Sequence, residues 1–208
     1  MNKILFAASE CVPFVKTGGL ADVVGALPKE FDKKNWDIRV VLPNYTCIPS
    51  KYRERFEKVC DFKMGCGHYI GEKYVGVMQY VYQGITYYFI DNLDYFECFY
   101  PYSDTRNDME RFTFFDKAVL SMLPLIDFKP DLIHCHDWQT GLIPIYLKSD
   151  FQGNPFFWGI KTIMTIHNLQ FQGVWDLKTL QGLSGLTKEM FTPDKLEFNK
   201  EGIMLKGG

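Results

Sequence analysis

The chain has 208 residues, a length that suits one large domain with a sizeable core better than two domains. Apolar residues make up 47% of it and charged residues 23%, which excludes a disordered or fibrous protein. Lys and Arg (23) nearly balance Asp and Glu (25), so no broad positive field exists to attract nucleic acid or an anionic membrane, and neither is expected as a partner.

The first residues predict a buried strand and no targeting signal. Residues 1–8 read MNKILFAA, an apolar run far shorter than a signal-peptide core, and no small-residue cleavage site follows. The six cysteines are scattered without a C-x-x-C pair, which favours reduced thiols. No apolar stretch reaches the length needed to cross a bilayer. We therefore expect a cytoplasmic protein.

A β-α-β unit is predicted at the start of the chain. The apolar run at 4–8 predicts a strand, the apolar spacing at 20–27 predicts a helix packed on a sheet, and the run at 38–42 predicts the next strand. The pattern then changes. Residues 51–58 predict a short charged helix, and alternating runs at 74–82 and 85–90, separated by the dipeptide QG, predict a β-hairpin inserted in the α/β pattern.

Regular alternation resumes in the second half of the chain. It predicts a helix near 109–123, a strand at 132–135, a helix near 141–147 and a strand at 162–166. Short apolar strands that alternate with helices are typical of a parallel sheet covered on both faces. The sequence therefore predicts an α/β fold, Rossmann-like and doubly wound, with a mostly parallel sheet and the β-hairpin insertion.

Ligands of open α/β sheets bind at the carboxyl ends of the strands, so the loops there hold the candidate residues. After the first strand, residues 16–23 read KTGGLADV, with Gly18 and Gly19 opening a helix and Lys16 just before them. Glycines admit a ligand close to the backbone, and the first amides and the dipole of the helix favour an anion. A phosphate site is one interpretation. The other is a tight turn whose glycines only allow packing, with Lys16 solvated.

The loop after the third core strand offers two chemistries. Residues 131–139 read DLIHCHDWQ, and His134 and His136 share one face of the strand, so they could ligate one metal ion. Only two further histidines and no C-x-x-C pair are available, which favours a hydrogen-bonded core role for His134. Asp137, at the end of the strand, is placed to accept hydrogen bonds from a ligand hydroxyl.

Two more segments could meet a substrate. His167 and Asn168 end an apolar strand at the same edge of the sheet, where the plain alternative is a capping pair that satisfies loop backbone. Residues 95–102 read YFECFYPY, and such rings are good platforms for sugars, although core packing explains most of them equally well.

These segments, taken together and in this order, resemble the glycogen and starch synthases, and the resemblance covers the whole chain. The matching segments are KTGGLADV (16–23), HDW with GL (136–138 and 141–142), HNL with FQG (167–169 and 171–173), FAASE (6–10), DMERFTFF (108–115) and LKGG (205–208). Met109, Gln139 and Phe171 depart from the family pattern, which affects acceptor details and leaves the reaction class intact.

The resemblance implies a family 5 glycosyltransferase with a GT-B fold, in which two Rossmann-like domains face a cleft. It implies transfer of glucose from ADP-glucose to the nonreducing 4-hydroxyl of an α-1,4-glucan with retention, so these two molecules are the expected partners. Residues 1–208 would be the N-terminal domain, cut off before the C-terminal domain. Because electrostatic stabilisation needs groups preorganised around the reacting centre, this part is expected to be inactive alone.

The resemblance also assigns roles at the first loop. Lys16 matches the lysine that binds ADP-glucose, and Gly18 and Gly19 match the turn beside the diphosphate. Asp22 would support this loop or the acceptor side.

At the other two loops, His167 and Asp137 match positions at the glucose end of the cleft and are predicted to be catalytic, with Asn168 binding ADP-glucose. GT-B enzymes neutralise the departing diphosphate with basic side chains and helix N-termini, so no metal and no cofactor is expected. The alternatives are another GT-B enzyme, such as a UDP-glucose-dependent synthase or a glucan phosphorylase relative, and a sugar- or nucleotide-binding module without catalysis.

Overall fold

The computed structural model describes residues 1–103 and 105–208. Within them, six α-helices are present: α1 (Gly19–Ala26), α2 (Ser50–Arg53), α3 (Leu93–Phe96), α4 (Thr105–Met122), α5 (Ile143–Lys148) and α6 (Leu177–Ser184). The described strands are β1 (Asn2–Ala7), β2 (Trp36–Pro43), β3 (Glu57–Gly65), β4 (Glu72–Tyr82), β5 (Ile85–Asp91), β6 (Leu132–His136), β7 (Lys161–Thr165), β8 (Val174–Asp176), β9 (Glu197–Phe198) and β10 (Glu201–Ile203).

The main sheet confirms the predicted α/β fold with a mostly parallel sheet. Its order is β3-β4-β5-β2-β1-β6-β7, and the five strands from β5 to β7 in that order run parallel. β1 lies at the centre of the parallel part, and Leu5, Phe6 and Ala7 are fully buried. A strand buried on both faces must be apolar at consecutive positions, which is why the run at 4–8 carries no alternation.

The predicted β-hairpin is present as β4 and β5. Its turn consists of Gln83 and Gly84, with φ of 51° and 76°, the pair of positive values that a two-residue type I′ turn needs. The hairpin also extends the main sheet, because β5 pairs in parallel with β2 from Arg39↔Thr86 to Pro43↔Ile90. The insertion is therefore continuous with the core and does not form a separate lobe.

One predicted element is partly wrong. The charged helix expected at 51–58 ends at Arg53, and Glu57 and Lys58 begin β3 instead. β3 pairs antiparallel with β4 from Glu57↔Gln79 to Gly65↔Glu72, so the ladder to β4 overrides the local helical pattern.

A second, small antiparallel sheet was not anticipated. It has the order β8-β10-β9, and α6 follows β8 directly. Asp176 caps α6 by accepting a hydrogen bond from Thr179 N at 2.9 Å, and Gly185 ends the helix in the left-handed conformation at φ 73°. None of the helices in the described part of the chain combines the length and hydropathy that crossing a bilayer requires.

Candidate active site

The loops after β1, β6 and β7 border a cleft of about 820 Å³. This volume suits a small-molecule ligand. The predicted residues in its lining are Gly18, Gly19, Asp137, His167 and Asn168. The carboxyl ends of neighbouring parallel strands meet at one edge of the sheet, which brings together residues that lie up to 150 positions apart in the sequence.

The glycine turn opens onto free space. A Cβ atom placed on Gly18 or Gly19 would meet no atom within 4 Å, and Gly18 has extended backbone at φ −147°. Neither packing inside the protein nor a left-handed conformation therefore requires glycine at position 18, and packing does not require it at position 19. This observation weighs against a turn whose glycines only allow packing and favours a turn that leaves room for a ligand.

Glu10 holds the glycine turn, a role that was not predicted from the sequence. Its carboxylate, 3% exposed, accepts hydrogen bonds from Thr17 N, from Thr17 Oγ1 at 2.8 Å, from Gly18 N at 3.2 Å and from Tyr102 Oη at 2.6 Å. The amide of Gly18 is thus already satisfied, and an anion would meet the amides that begin at Gly19. The available signal was a charged residue two positions after the apolar run at 4–8, since a carboxylate buried there needs hydrogen-bond donors.

Lys16 and Asp22 lie beside the cleft and are not part of its lining. Lys16 Nζ donates to both carboxylate oxygens of Asp22 at 2.7 Å, and the two side chains are 52% and 56% exposed. An exposed ion pair of this kind is worth little free energy, so a phosphate could take the place of Asp22 at small cost. The structure pairs the two predicted residues with each other.

Asp137 ties the end of β6 to the end of β7. Its Oδ1 accepts hydrogen bonds from His167 N at 2.7 Å and Asn168 N at 3.3 Å, and its own N–H donates to Thr165 O at 3.0 Å. Its backbone has φ 57° and ψ −177°, a region that is sparsely populated by residues other than glycine. Asp137 therefore positions the loop that carries His167, and strain of this kind is concentrated at functional sites.

The histidines of β6 form a stacked row that reaches the cleft. The rings of His134 and His136 stack with centroids 4.2 Å apart, and His134 Nε2 shares a hydrogen bond with Thr165 Oγ1 at 2.7 Å. His136 Nδ1 and His167 Nε2 share another at 2.9 Å. These bonds support the hydrogen-bonded alternative for His134, and no group of three metal-ligating side chains suited to an ion is found within residues 1–103 and 105–208.

Burial of His136 predicts a loss of stability in acid. The side chain is fully buried, and burial lowers the pKa of its imidazole to about 2, with His134 and His167 adding to the shift. The folded chain keeps this ring neutral, whereas the unfolded chain takes up a proton near pH 6.5. The unfolded state then binds more protons, so below that pH this group lowers the free energy of unfolding by roughly 1.4 kcal/mol for each pH unit.

Urea unfolding of the 208-residue chain at pH 7 and pH 5 measures this effect. In His136→Asn this contribution should disappear. The free energy of unfolding should then fall by about 2 kcal/mol less between pH 7 and pH 5 than it does in the unchanged chain. The exposed His68 supplies a matched control, because His68→Ala should keep the full pH dependence. Equal pH dependence in His136→Asn and the unchanged chain would contradict the prediction.

Comparison with known proteins decides the family. The family model of the starch synthase catalytic domain matches residues 3–208. The chain belongs to this family. Among curated relatives of the family, the glycogen synthases of Lachnoclostridium phytofermentans and Lachnospira eligens are 56% and 54% identical to it, each over 100% of this chain and 43% of the relative.

A solved structure agrees with the family assignment. The catalytic domain of starch synthase IV from Arabidopsis thaliana, bound to ADP and acarbose, superposes with a TM-score of 0.83 at 25% identity. The match covers 99% of this chain and 42% of that one. The chain therefore spans less than half the length of the relatives that it matches.

Proposed function

We propose that this chain forms the N-terminal domain of a cytoplasmic glycogen synthase. The complete protein would transfer glucose from ADP-glucose to the nonreducing end of an α-1,4-glucan with retention of configuration. The observation that carries this proposal is the glycine turn at the edge of a cleft, which faces open space at the start of α1, in a chain of the starch synthase catalytic domain family. No cofactor enters the proposal.

The three loops would bind the two ends of ADP-glucose, the diphosphate and the glucose. The first amides of α1 and the ammonium of Lys16 would hold the diphosphate, since helix N-termini and cations stabilise the charge that develops there on transfer. His167 and Asn168 would meet the glucose end, on a loop whose position Asp137 sets. Because the chain covers only 43% of its relatives, we infer that transfer also needs the C-terminal domain.

A radiolabel-transfer assay on the complete protein tests the function. Glucose from ADP-glucose should appear in glycogen at a much higher rate than glucose from UDP-glucose. A preference for UDP-glucose would show that UDP-glucose, and not ADP-glucose, is the donor. Phosphate-dependent release of glucose 1-phosphate would indicate a phosphorylase. Binding of ADP-glucose without any transfer would instead identify a binding module. The 208-residue chain by itself is expected to transfer no glucose.

Lys16→Ala in the complete protein should raise the dissociation constant for ADP-glucose about 10- to 150-fold. The reason is the loss of a charge-assisted contact to phosphate, a contact worth roughly 1.5–3 kcal/mol. Lys73 offers a matched control, because it also forms an exposed ion pair, with Asp94 at 3.2 Å, outside the cleft lining. Calorimetric titration should show unchanged affinity in Lys73→Ala. Unchanged affinity in Lys16→Ala would remove this lysine from the donor site.

A further inference from the structure

Two neighbouring aromatic rings project from the loop between α3 and α4. Phe99 is 94% exposed and Tyr100 is 77% exposed, the two highest values for large hydrophobic side chains in the described part of the chain. Neither ring belongs to the hydrophobic core or packs against it. The two adjacent exposed rings form an apolar surface that a ligand or partner can cover.

The backbone on both sides of the two rings is held in place. Cys98 N donates to Thr46 Oγ1 at 2.8 Å, and Thr46 Oγ1 donates to Cys98 O at 3.1 Å. On the other side, the guanidinium of Arg111 donates to Pro101 O. This guanidinium is itself fixed, by a buried ion pair with Asp108 at 2.7 Å. The rings therefore lie on an anchored loop, so binding a ligand there would cost the loop little conformational entropy.

The loop that carries the two rings runs on into the lining of the cleft. Tyr102 and Ser103, which follow them in the chain, both line it, and Tyr102 donates to the same Glu10 carboxylate that holds the glycine turn. A chain-like ligand that leaves the cleft at Tyr102 and Ser103 can extend toward Phe99 and Tyr100, which lie two to four residues away along the chain. Phe99 and Tyr100 themselves do not line the cleft, so a ligand confined to it would not reach them.

We propose that Phe99 and Tyr100 form a stacking platform for glucose units of an α-1,4-glucan that extend beyond the cleft. This inference rests on the proposed function, since it names where the acceptor leaves the site. The flat C–H faces of glucose pack on aromatic faces, and the phenol of Tyr100 can exchange hydrogen bonds with sugar hydroxyls. The platform recognises length, because only a glucan longer than the cleft touches both sites.

Calorimetric titration of the complete protein with maltoheptaose and maltotriose tests the platform. The double variant Phe99→Ala, Tyr100→Ala should bind maltoheptaose about 10-fold more weakly, with maltotriose and ADP-glucose affinities unchanged. Phe198→Ala is the matched control, because this ring is 55% exposed and lies on β9, outside the cleft lining. Restoring rings by Phe99→Trp with Tyr100→Phe should recover most of the affinity.

Equal affinity of the double variant and the unchanged chain for maltoheptaose would overturn the platform and leave the proposed function standing. Failure of the proposed function shows differently, as absent transfer from ADP-glucose by the unaltered complete protein. If the double variant instead converts a dimer into a monomer in light scattering, with no change in glucan affinity, the rings bind a second copy of the chain and the platform is wrong.

Discussion

His167→Ala in the complete protein is expected to lower kcat for glucose transfer by about 100- to 1000-fold, the cost of removing one preorganised group at a reacting centre. The side chain lines the cleft and is held from two directions. Asp137 fixes its backbone N–H at 2.7 Å, and His136 fixes Nε2 at 2.9 Å. Nδ1 makes no hydrogen bond within the described residues and is available to a ligand in the cleft.

The measurement is kcat with saturating ADP-glucose and glycogen, together with the thermal unfolding midpoint. The midpoint should change little, because the ring is only partly buried. His68→Ala supplies the matched histidine control, since His68 is exposed and lies outside the cleft lining. Turnover within a few-fold of the unaltered protein in His167→Ala would remove this residue from the site. A large drop in the midpoint would instead assign it a structural role.

Glu10→Ala is expected to destabilise the 208-residue chain by about 3 kcal/mol. Hydrogen bonds to a charged group contribute roughly 1.5–3 kcal/mol each, and donors left without a partner add their desolvation cost. The donors to this carboxylate are Thr17, Gly18 and Tyr102. The donors of Thr17 and Gly18 can bind water from the cleft instead, so the expected loss is smaller than the sum over all four hydrogen bonds. The phenol of Tyr102 keeps one partner, Ser9 Oγ at 2.8 Å.

Urea unfolding checks this value through a lower midpoint at unchanged slope. Glu10→Gln keeps one oxygen acceptor and the side-chain volume, so it should lose clearly less stability than Glu10→Ala. Since the same carboxylate holds the glycine turn, both variants should also weaken ADP-glucose binding in the complete protein. An unchanged unfolding midpoint in Glu10→Ala would show that water replaces the carboxylate at no cost.

Most of the parallel sheet could be predicted from the sequence. The segments of β1, β2, β6 and β7 contain short, largely apolar runs that end in polar loops, a pattern contained within a few neighbouring residues. β5 was predicted only as the second strand of the hairpin, and its parallel pairing with β2 was not. β3 escaped prediction because residues 57–65 read EKVCDFKMG, a segment exposed at most positions, and its state is set by the partner strand β4. The small sheet of β8, β9 and β10 escaped for a related reason, since strands of two and three residues carry too little pattern.

The candidate site, too, could be predicted only in part from the sequence. The loops that hold Gly18, Asp137 and His167 could be located from the sequence, because strand ends are local features and parallel strands deliver them to one edge of the sheet. The sequence could not decide whether His134 binds a metal or forms a hydrogen bond. Its hydrogen-bond partner, Thr165, lies on β7 and comes beside β6 only in the folded sheet. The roles of Lys16 and His167 in donor binding and turnover stay predictions.

The sequence by itself determined the fold class, the family resemblance and the loops that form the cleft, since these depend on periodicity and on contiguous motifs. Only the tertiary structure decided which groups are already engaged. Asp22 pairs with Lys16, Glu10 takes the amides of the glycine turn, and Asp137 takes those of the loop at His167. The physical reason is that hydrogen bonding and burial depend on distances between segments that are remote in the chain, and no local pattern contains those distances.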